Sequence, residues 1–474
     1  MSYDPQSPYA SSWEKLLSQP ENQWFDRKSF KIQPKDLAKA LVAFANAEGG
    51  IIAVGITDRT LDGLPSAKQA NQLRQAPHEF TDPTTRYEVK IVDIPDPGSH
   101  SPSTKGPAQI YLFHVSPTEN VHYTTAGECY LRVGDQTQKL KADDILELRY
   151  TKGEQSFDST EVSGANVVDL NDESVASYAH SLGSSTPIDA LKARGLLRQP
   201  DRPTVASVLM FGKSPQLYFP NAHIRVLKFE EPDRLPGRQQ QLAFDKRFEG
   251  TIPQQLEKAR ETIMSLLPEV ERKGTGLHFQ RETLIPPDVW LEGLVNAAIH
   301  RSYSNSGDHI RFEIFPDKIT ISSPGRFPGL VDPSKPEEIA RFARNPHIAR
   351  VAAELKIGQE LGEGIRRIYS EMRLVGLSDP IYKQTSGSVI LTLPAQKRVP
   401  ASVLDSLPKG AEEVLHTLQL HSRPLGTREV SELTDLSVPT ARTALQQLRR
   451  AGLIFWHGTS PKDPRATWSA TENI

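Results

Sequence analysis

The sequence predicts a multidomain α+β protein, and three observations carry that expectation. Its 474 residues exceed what one hydrophobic core supports, at about 100–200 residues per domain. Segments of helical period alternate with segments of strand period, and no internal repeat or low-complexity tract interrupts them. The 37 prolines favour many loops over long helices. Polar, Pro/Gly/Ser-rich stretches give the punctuation: a loop at 95–107, a separator from Thr151 (TKGEQSFDSTEVSG) and a linker from Ala395 (AQKRVPASVLDSLPKG). The expected units are 15–150, a middle α/β region at 165–280, 281–395 and 408–474.

Charge and cysteine content narrow the function. With 56 Lys and Arg against 58 Asp and Glu, a wholly basic nucleic-acid coat is excluded, and any anion-binding surface must be local. Cys129 is the only cysteine, which excludes an intrachain disulfide or a thiolate-built zinc site and fits a reducing compartment. No apolar run approaches about 18 residues, and the start MSYDPQSPYASSWEK has no apolar signal core. The expectation is a soluble cytoplasmic protein without membrane contact.

In the first unit, PKDLAKALVAFANAEGG sets Leu37, Leu41, Phe44 and Ala45 at helical spacing, and Gly49 and Gly50 stop the helix. The apolar run IIAVGIT then reads as a buried strand ending at Asp58. YEVKIVDI and AQIYLFHV alternate as strands do, and YLRVGD reads as one more strand and turn. Upstream, ENQWFDRKSF holds Glu21 and Asp26 beside Arg27 and Lys28. Glu21, Asp26 and Asp58 are hard oxygen donors. Brought together they would suit magnesium or manganese, which polarises a phosphodiester and generates a nucleophilic water. Lys28 would add a point charge for the phosphate. Arg27, Lys28, Lys31, Lys35 and Lys39 fall within 13 positions containing one acid, Asp36; this is either a phosphate-contacting patch or an ordinary solvated helix face.

PPDVWLEGLVNAAIHRSY reads as a helix that Pro286 and Pro287 precede and Asp288 caps or enters. Glu292, Asn296 and His300 then share one face at four-residue spacing. IRFEIFPDKITISS alternates as a hairpin. At the C-terminus, AEEVLHTLQLH and then GTREVSELTDLSVPTARTALQQLRRAGLIFWHGTSPKDPRATWSAT read in order as a winged helix-turn-helix. Thr427 is expected to cap the first of two short helices, with Leu433, Val438, Ala441, Leu445 and Leu448 inward. Thr440, Arg442, Thr443 and Gln446 then face outward, where a major groove is read. Arg449, Arg450, Lys462 and Arg465 are placed for phosphates. From Gln396 onward ten basic residues face eight acids, a net charge of +2.

AFANAEGGIIAVGITD, preceded by an acid-x-Lys and followed by YLRVGD, resembles the AlbA-like domain of the Schlafen proteins. RPTVASVLMFGKSPQLYFPNAHIRVLKFE resembles the segment that follows it in bacterial relatives of the transcriptional-regulator type. LEGLVNAAIHRSY, ISSPGRFPG, ARNPHIARVAAEL and LGEGIRRIYSEM resemble their GHKL-like, degenerate HATPase part. The resemblance spans about residues 15–395. It implies an acidic nuclease triad at Glu21, Asp26 and Asp58, with Asp26 standing where the family more often has Glu. It also implies a nucleotide site in which Asn296 holds the nucleotide-bound magnesium, Glu292 positions water, and Gly362 and Gly364 cradle phosphates. Two departures accompany that second site: SSPGRFPG replaces the usual adenine-binding aspartate motif, and Glu363 stands where relatives have Thr. Mammalian Schlafen ribonucleases enclose RNA between two lobes, so a chain with one lobe is expected to form a homodimer.

Three functions follow as expectations. The first is a DNA-binding transcriptional regulator. The second is a metal-dependent nuclease acting on RNA, tRNA or DNA in stress or phage defence. The third is an ATP-dependent switch.

Overall fold

A proline at the first helical position and an apolar stripe place a helix at Pro34–Asn46. Pro34 lacks only an N–H that would go unpaired there, while Leu37, Leu41 and Phe44 are wholly buried in one core. The chain reverses through Gly49 and Gly50, with φ of 77° and 148°. A side chain at Gly50 would run into the Phe44 ring and the Trp24 carbonyl, so glycine alone lets the next strand start this close. That strand, Gly50–Val54, is buried along its length. The computed structural model describes residues 13–95, 106–234, 242–267, 269–273, 279–283, 285–327, 336–338, 343–358, 364–385, 387–396, 407–408, 410–421, 423–458, 463 and 466–470.

The first sheet has the order Phe25–Lys28, Gly50–Val54, Ala108–Val115, Tyr87–Ile94. Its first pair is parallel and the other two are antiparallel. Because successive side chains alternate across a strand, Ile52 and Val54 enter the core that Leu37 and Phe44 share, whereas Ile51 and Ala53 join Leu16, Phe25 and Leu112 on the other face. The expected continuous strand through Thr57 breaks at Gly55, whose φ is 115°. Ile56–Thr57 pairs instead with Thr60–Leu61, and Asp58 lies in the turn between them. The hairpin Tyr130–Val133 with Gln136–Lys139 packs on helix Pro34–Asn46, and helix Ala142–Lys152 closes this part of the chain.

The next sheet has six strands in the order Leu242–Phe248, Ile224–Phe229, Ile310–Ile314, Lys318–Pro324, Ser388–Pro394, Ile381–Gln384. Ile224–Phe229 runs parallel to Ile310–Ile314, with Val226 opposite Phe312. One core runs from Val162 through Trp290 to Leu393. The expected division near residue 280 therefore does not divide the packing: strands from both sides of it are neighbours in one sheet. The expected hairpin at 310–323 is present, with Phe312 opposite Ile321. Helix Pro287–Ile299 packs on strand Lys318–Pro324 and against helix Gly364–Leu374. Pro286 takes the cap position of the former, and Asp288 lies in its first turn.

The C-terminal part has its own core. It comprises helices Ala411–Leu420, Thr427–Thr434 and Val438–Arg450, and a three-stranded sheet ordered Leu425–Gly426, Thr467–Ala470, Ile454–His457. Two local expectations change here. Gly426, not Thr427, is the cap residue, and the Thr427 hydroxyl accepts a hydrogen bond from Trp468 at 3.0 Å. Leu433 and Val438 are exposed, at 49% and 38%. Val430, Ser431 and Thr434 are buried in the first helix instead, and the helical period carries Leu433 to the side of that buried face.

Candidate nucleic-acid interface and ligand cavity

The acids near the first strand are not assembled around a common point. Asp26 is wholly buried. Its carboxylate receives Lys28 Nζ at 2.8 Å and Arg132 Nη1 at 3.3 Å. Arg132 is itself 1% exposed; it also donates to the carbonyls of Asn22 and Phe25 at 3.0 and 3.1 Å and lies 5.0 Å from the Phe44 ring centre. Burial lowers the guanidinium pKa, and the Asp26 charge opposes that shift. Glu21 faces Arg27 at 3.9 Å. Asp58 is exposed in its turn. The acid that reaches the end of this strand is Asp62, which accepts from the Phe30 amide at 2.7 Å and the Ser29 and Thr57 hydroxyls at 2.8 and 2.7 Å.

Among the described residues no group of three or more His, Cys, Asp or Glu is placed to hold a metal ion. The structure thus does not gather Glu21, Asp26 and Asp58 into one ligand set. A carboxylate already neutralised by two cations offers little to a third. Part of the basic stretch is already paired within the protein. Lys28 is spent on Asp26, Lys39 pairs with Asp36 at 2.8 Å, and Arg27 donates to the Leu17 carbonyl at 2.7 Å. Lys31 and Lys35 are exposed and make no ion pair among the described residues.

Sequence reasoning passed over Arg132. Its signal was an arginine at an inward position of an alternating strand (burial alternates from Tyr130), which demands a buried carboxylate. Glu48, just before the Gly-Gly turn, was passed over too. It accepts from Gln23 at 2.7 Å and Gln384 at 2.9 Å, and it is ion-paired with Arg326. Burial pushes its pKa up, but the Arg326 charge and the three donors outweigh that and hold it below the usual value. Nearby, Arg344 donates to the Arg326 carbonyl at 2.6 Å and lies 3.7 Å from Glu147, and Ser302 donates to Glu147 at 2.6 Å. The first part of the chain is therefore joined to the six-stranded part by half-buried ion pairs.

Arg326 also lines a cavity of about 620 Å³ in the six-stranded part, together with Glu292, Asn296 and His300. Asn296 donates to Glu292 at 3.1 Å. Both side chains stand where a Gly364 Cβ would have to go, so this glycine lets the helix start against the pair. Burial raises the Glu292 pKa, and the Asn296 hydrogen bond opposes it. Burial also drives His300 down to about 4. The predicted face of Glu292, Asn296 and His300 is thus brought together at one cavity. Gly362 lies outside the described residues.

On the C-terminal helix Val438–Arg450, Ser437 caps the first turn by accepting from the Thr440 amide at 3.3 Å. Ala441, Ala444, Leu445 and Leu448 are buried, which leaves Thr440, Arg442, Thr443 and Gln446 exposed on the opposite face, with Arg449 and Arg450 at its end. Arg449 lies 4.9 Å from the Trp456 ring centre. Lys462 and Arg465 lie outside the described residues.

These features define a mixed α+β protein in which an AlbA-type sheet is fastened to an ATPase-type sheet. Two domain families match the chain: "Schlafen, AlbA_2" at residues 21–141, and "Putative ATP-dependent DNA helicase recG C-terminal" at residues 307–393. The chain accordingly carries a Schlafen AlbA_2 domain and a HATPase-related domain of the recG C-terminal kind. A crystal structure of the DIP2311 protein from Corynebacterium diphtheriae aligns over 98% of this chain and 96% of its own, at 20% identity and a TM-score of 0.42. Among curated proteins none matches. No helix among the described residues is long and apolar enough to cross a membrane.

Proposed function

We propose that this chain is a nucleic-acid-binding protein, and more narrowly a DNA-binding transcriptional regulator whose C-terminal module is a winged helix reading duplex DNA. One observation carries the reading: helix Val438–Arg450 turns a continuous polar and cationic face, Thr440 to Arg450, away from its own core. A helix of this kind, fixed by two others and flanked by a hairpin, fits the major groove through its first turns. The Schlafen AlbA_2 domain supplies a second, sequence-independent contact through Lys31 and Lys35. A homodimer would place two reading helices across a two-fold site.

The nuclease reading has less support, because the arrangement of Asp26 stabilises a buried ion pair rather than an open metal site. A fluorescence-anisotropy titration tests the proposal with duplex DNA, single-stranded DNA and tRNA at low salt, with manganese and with EDTA. Removal of residues 400 onward should abolish duplex binding. Unchanged affinity would overturn the assignment of the reader, and metal-dependent cleavage would restore the nuclease. Sedimentation as a monomer at micromolar concentration would remove the dimer.

A further inference from the structure

We propose that the cavity beside Glu292 is a binding site for an uncharged, ring-bearing small molecule with a hydrogen-bond donor, and not for a nucleoside polyphosphate. Its size is the first argument: about 620 Å³ lies within the range that holds a drug-sized ligand. Its walls are the second. Val295, Ile321, Phe327, Ile357, Ile365 and Leu391 supply apolar surface from several separate elements, and withdrawing a flat ring from water against such walls is favourable.

The polar groups decide the ligand's charge. A helix N-terminus attracts anions, but here the protein's own Glu292 carboxylate already stands against the first residue of helix Gly364–Leu374. A polyphosphate would meet that carboxylate at the place where its own charge needs neutralising, and would need a cation between the two. Of the two lining arginines one is already neutralised, and the other is exposed and gives one N–H to the protein. Arg326 is ion-paired with the buried Glu48, and Arg366 Nε donates to the Glu337 carbonyl at 2.9 Å. Glu292 accepts only, so its natural complement is an N–H or O–H group. The residues present thus disagree with the triphosphate that the domain type implies.

The proposal goes beyond the DNA-binding reading and is tested without DNA, so either can fail alone. Three isosteric probes separate the charge states on the full chain: benzamide (neutral donor), benzoate (anion) and benzamidinium (cation). Saturation-transfer NMR should detect benzamide, with benzoate at least tenfold weaker. Ala353→Trp, which fills the cavity, should abolish the benzamide signal, and the milder Ala349→Leu should reduce it if the tryptophan variant fails to fold. Glu292→Gln should narrow the gap between benzamide and benzoate. Magnesium-ATP should give no titration heat and no displacement. Equal or tighter binding of benzoate, benzamidinium or magnesium-ATP would overturn the proposal. So would a benzamide signal indifferent to the filled cavity, or no binding of any probe at millimolar concentration.

Discussion

Asp26 and Arg132 stand 106 positions apart in the chain, yet Arg132 Nη1 lies 3.3 Å from Asp26 Oδ2 with both side chains almost entirely withdrawn from water. The pair makes Asp26 a structural residue, tying the strand Phe25–Lys28 to the hairpin that follows helix Pro34–Asn46. Removing one partner of such a pair strands the other charge in a low-dielectric interior and costs about 3–5 kcal/mol. Asp26→Ala should therefore lower the unfolding free energy by about that amount in urea denaturation. Asp26→Ala with Arg132→Met should recover most of the loss. An Asp26→Ala protein as stable as the parent would show that the ion pair contributes nothing.

The Glu48–Arg326 pair predicts a pH dependence with a definite sign. The Glu48 pKa is depressed in the folded protein, so its contribution is fully present above the unfolded carboxylate value of about 4.3 and is lost as pH falls through the folded value. Limited proteolysis should show the first part of the chain loosening from the six-stranded part in that acidic window. Glu48→Gln should loosen it at neutral pH and flatten the dependence. A Glu48→Gln protein with unaltered proteolysis at both pH values would remove the joint from consideration.

Glu292 carries the opposite sign. Burial raises its pKa, so its ionised form opposes folding at neutral pH; that penalty shrinks as pH falls through the folded value and is gone below the unfolded carboxylate value of about 4.3. Glu292→Gln should raise the melting temperature at pH 7 and bring no gain below about pH 4.3. Scanning calorimetry at the two pH values measures the difference directly.

The contact between Gly364 and the Glu292–Asn296 pair predicts a coupling. Gly364→Ala alone should cost about 1–3 kcal/mol by overpacking, because the Glu292 oxygen and the Asn296 amide hold the space. In the Glu292→Ala background the same change should cost far less, and the double-mutant cycle reports the coupling. Additive effects would mean that the helix start does not rest on Glu292.

On the C-terminal helix, Arg442 and Arg450 should behave differently. Arg442→Ala should weaken a specific site by about 1–3 kcal/mol and relax its sequence preference, whereas Arg450→Ala should weaken all duplexes alike and reduce the salt slope by about 1. Anisotropy titrations across ionic strength separate the two. Equal losses on specific and random duplex for Arg442→Ala would assign it to the backbone.

What the sequence by itself determined is what repeats locally. Leu37, Leu41 and Phe44 announced their helix, the alternation over 310–323 announced its hairpin, and the spacing of Ala441, Leu445 and Leu448 announced which face of the last long helix turns outward. A period of 3.6 or 2 is carried by near neighbours and needs no partner. Only the tertiary structure decided what the carboxylates do. Asp26 resembles a metal ligand until Arg132 arrives from 106 positions away. Glu48 resembles a turn residue until Arg326 and Gln384 reach it across 278 and 336 positions. Glu292 is one polar position on a helix face until Gly364 brings a helix start against it. Charge is a long-range property settled by burial and by whichever opposite group packing delivers, so the role of each acid was fixed by the fold rather than by its neighbours in the chain.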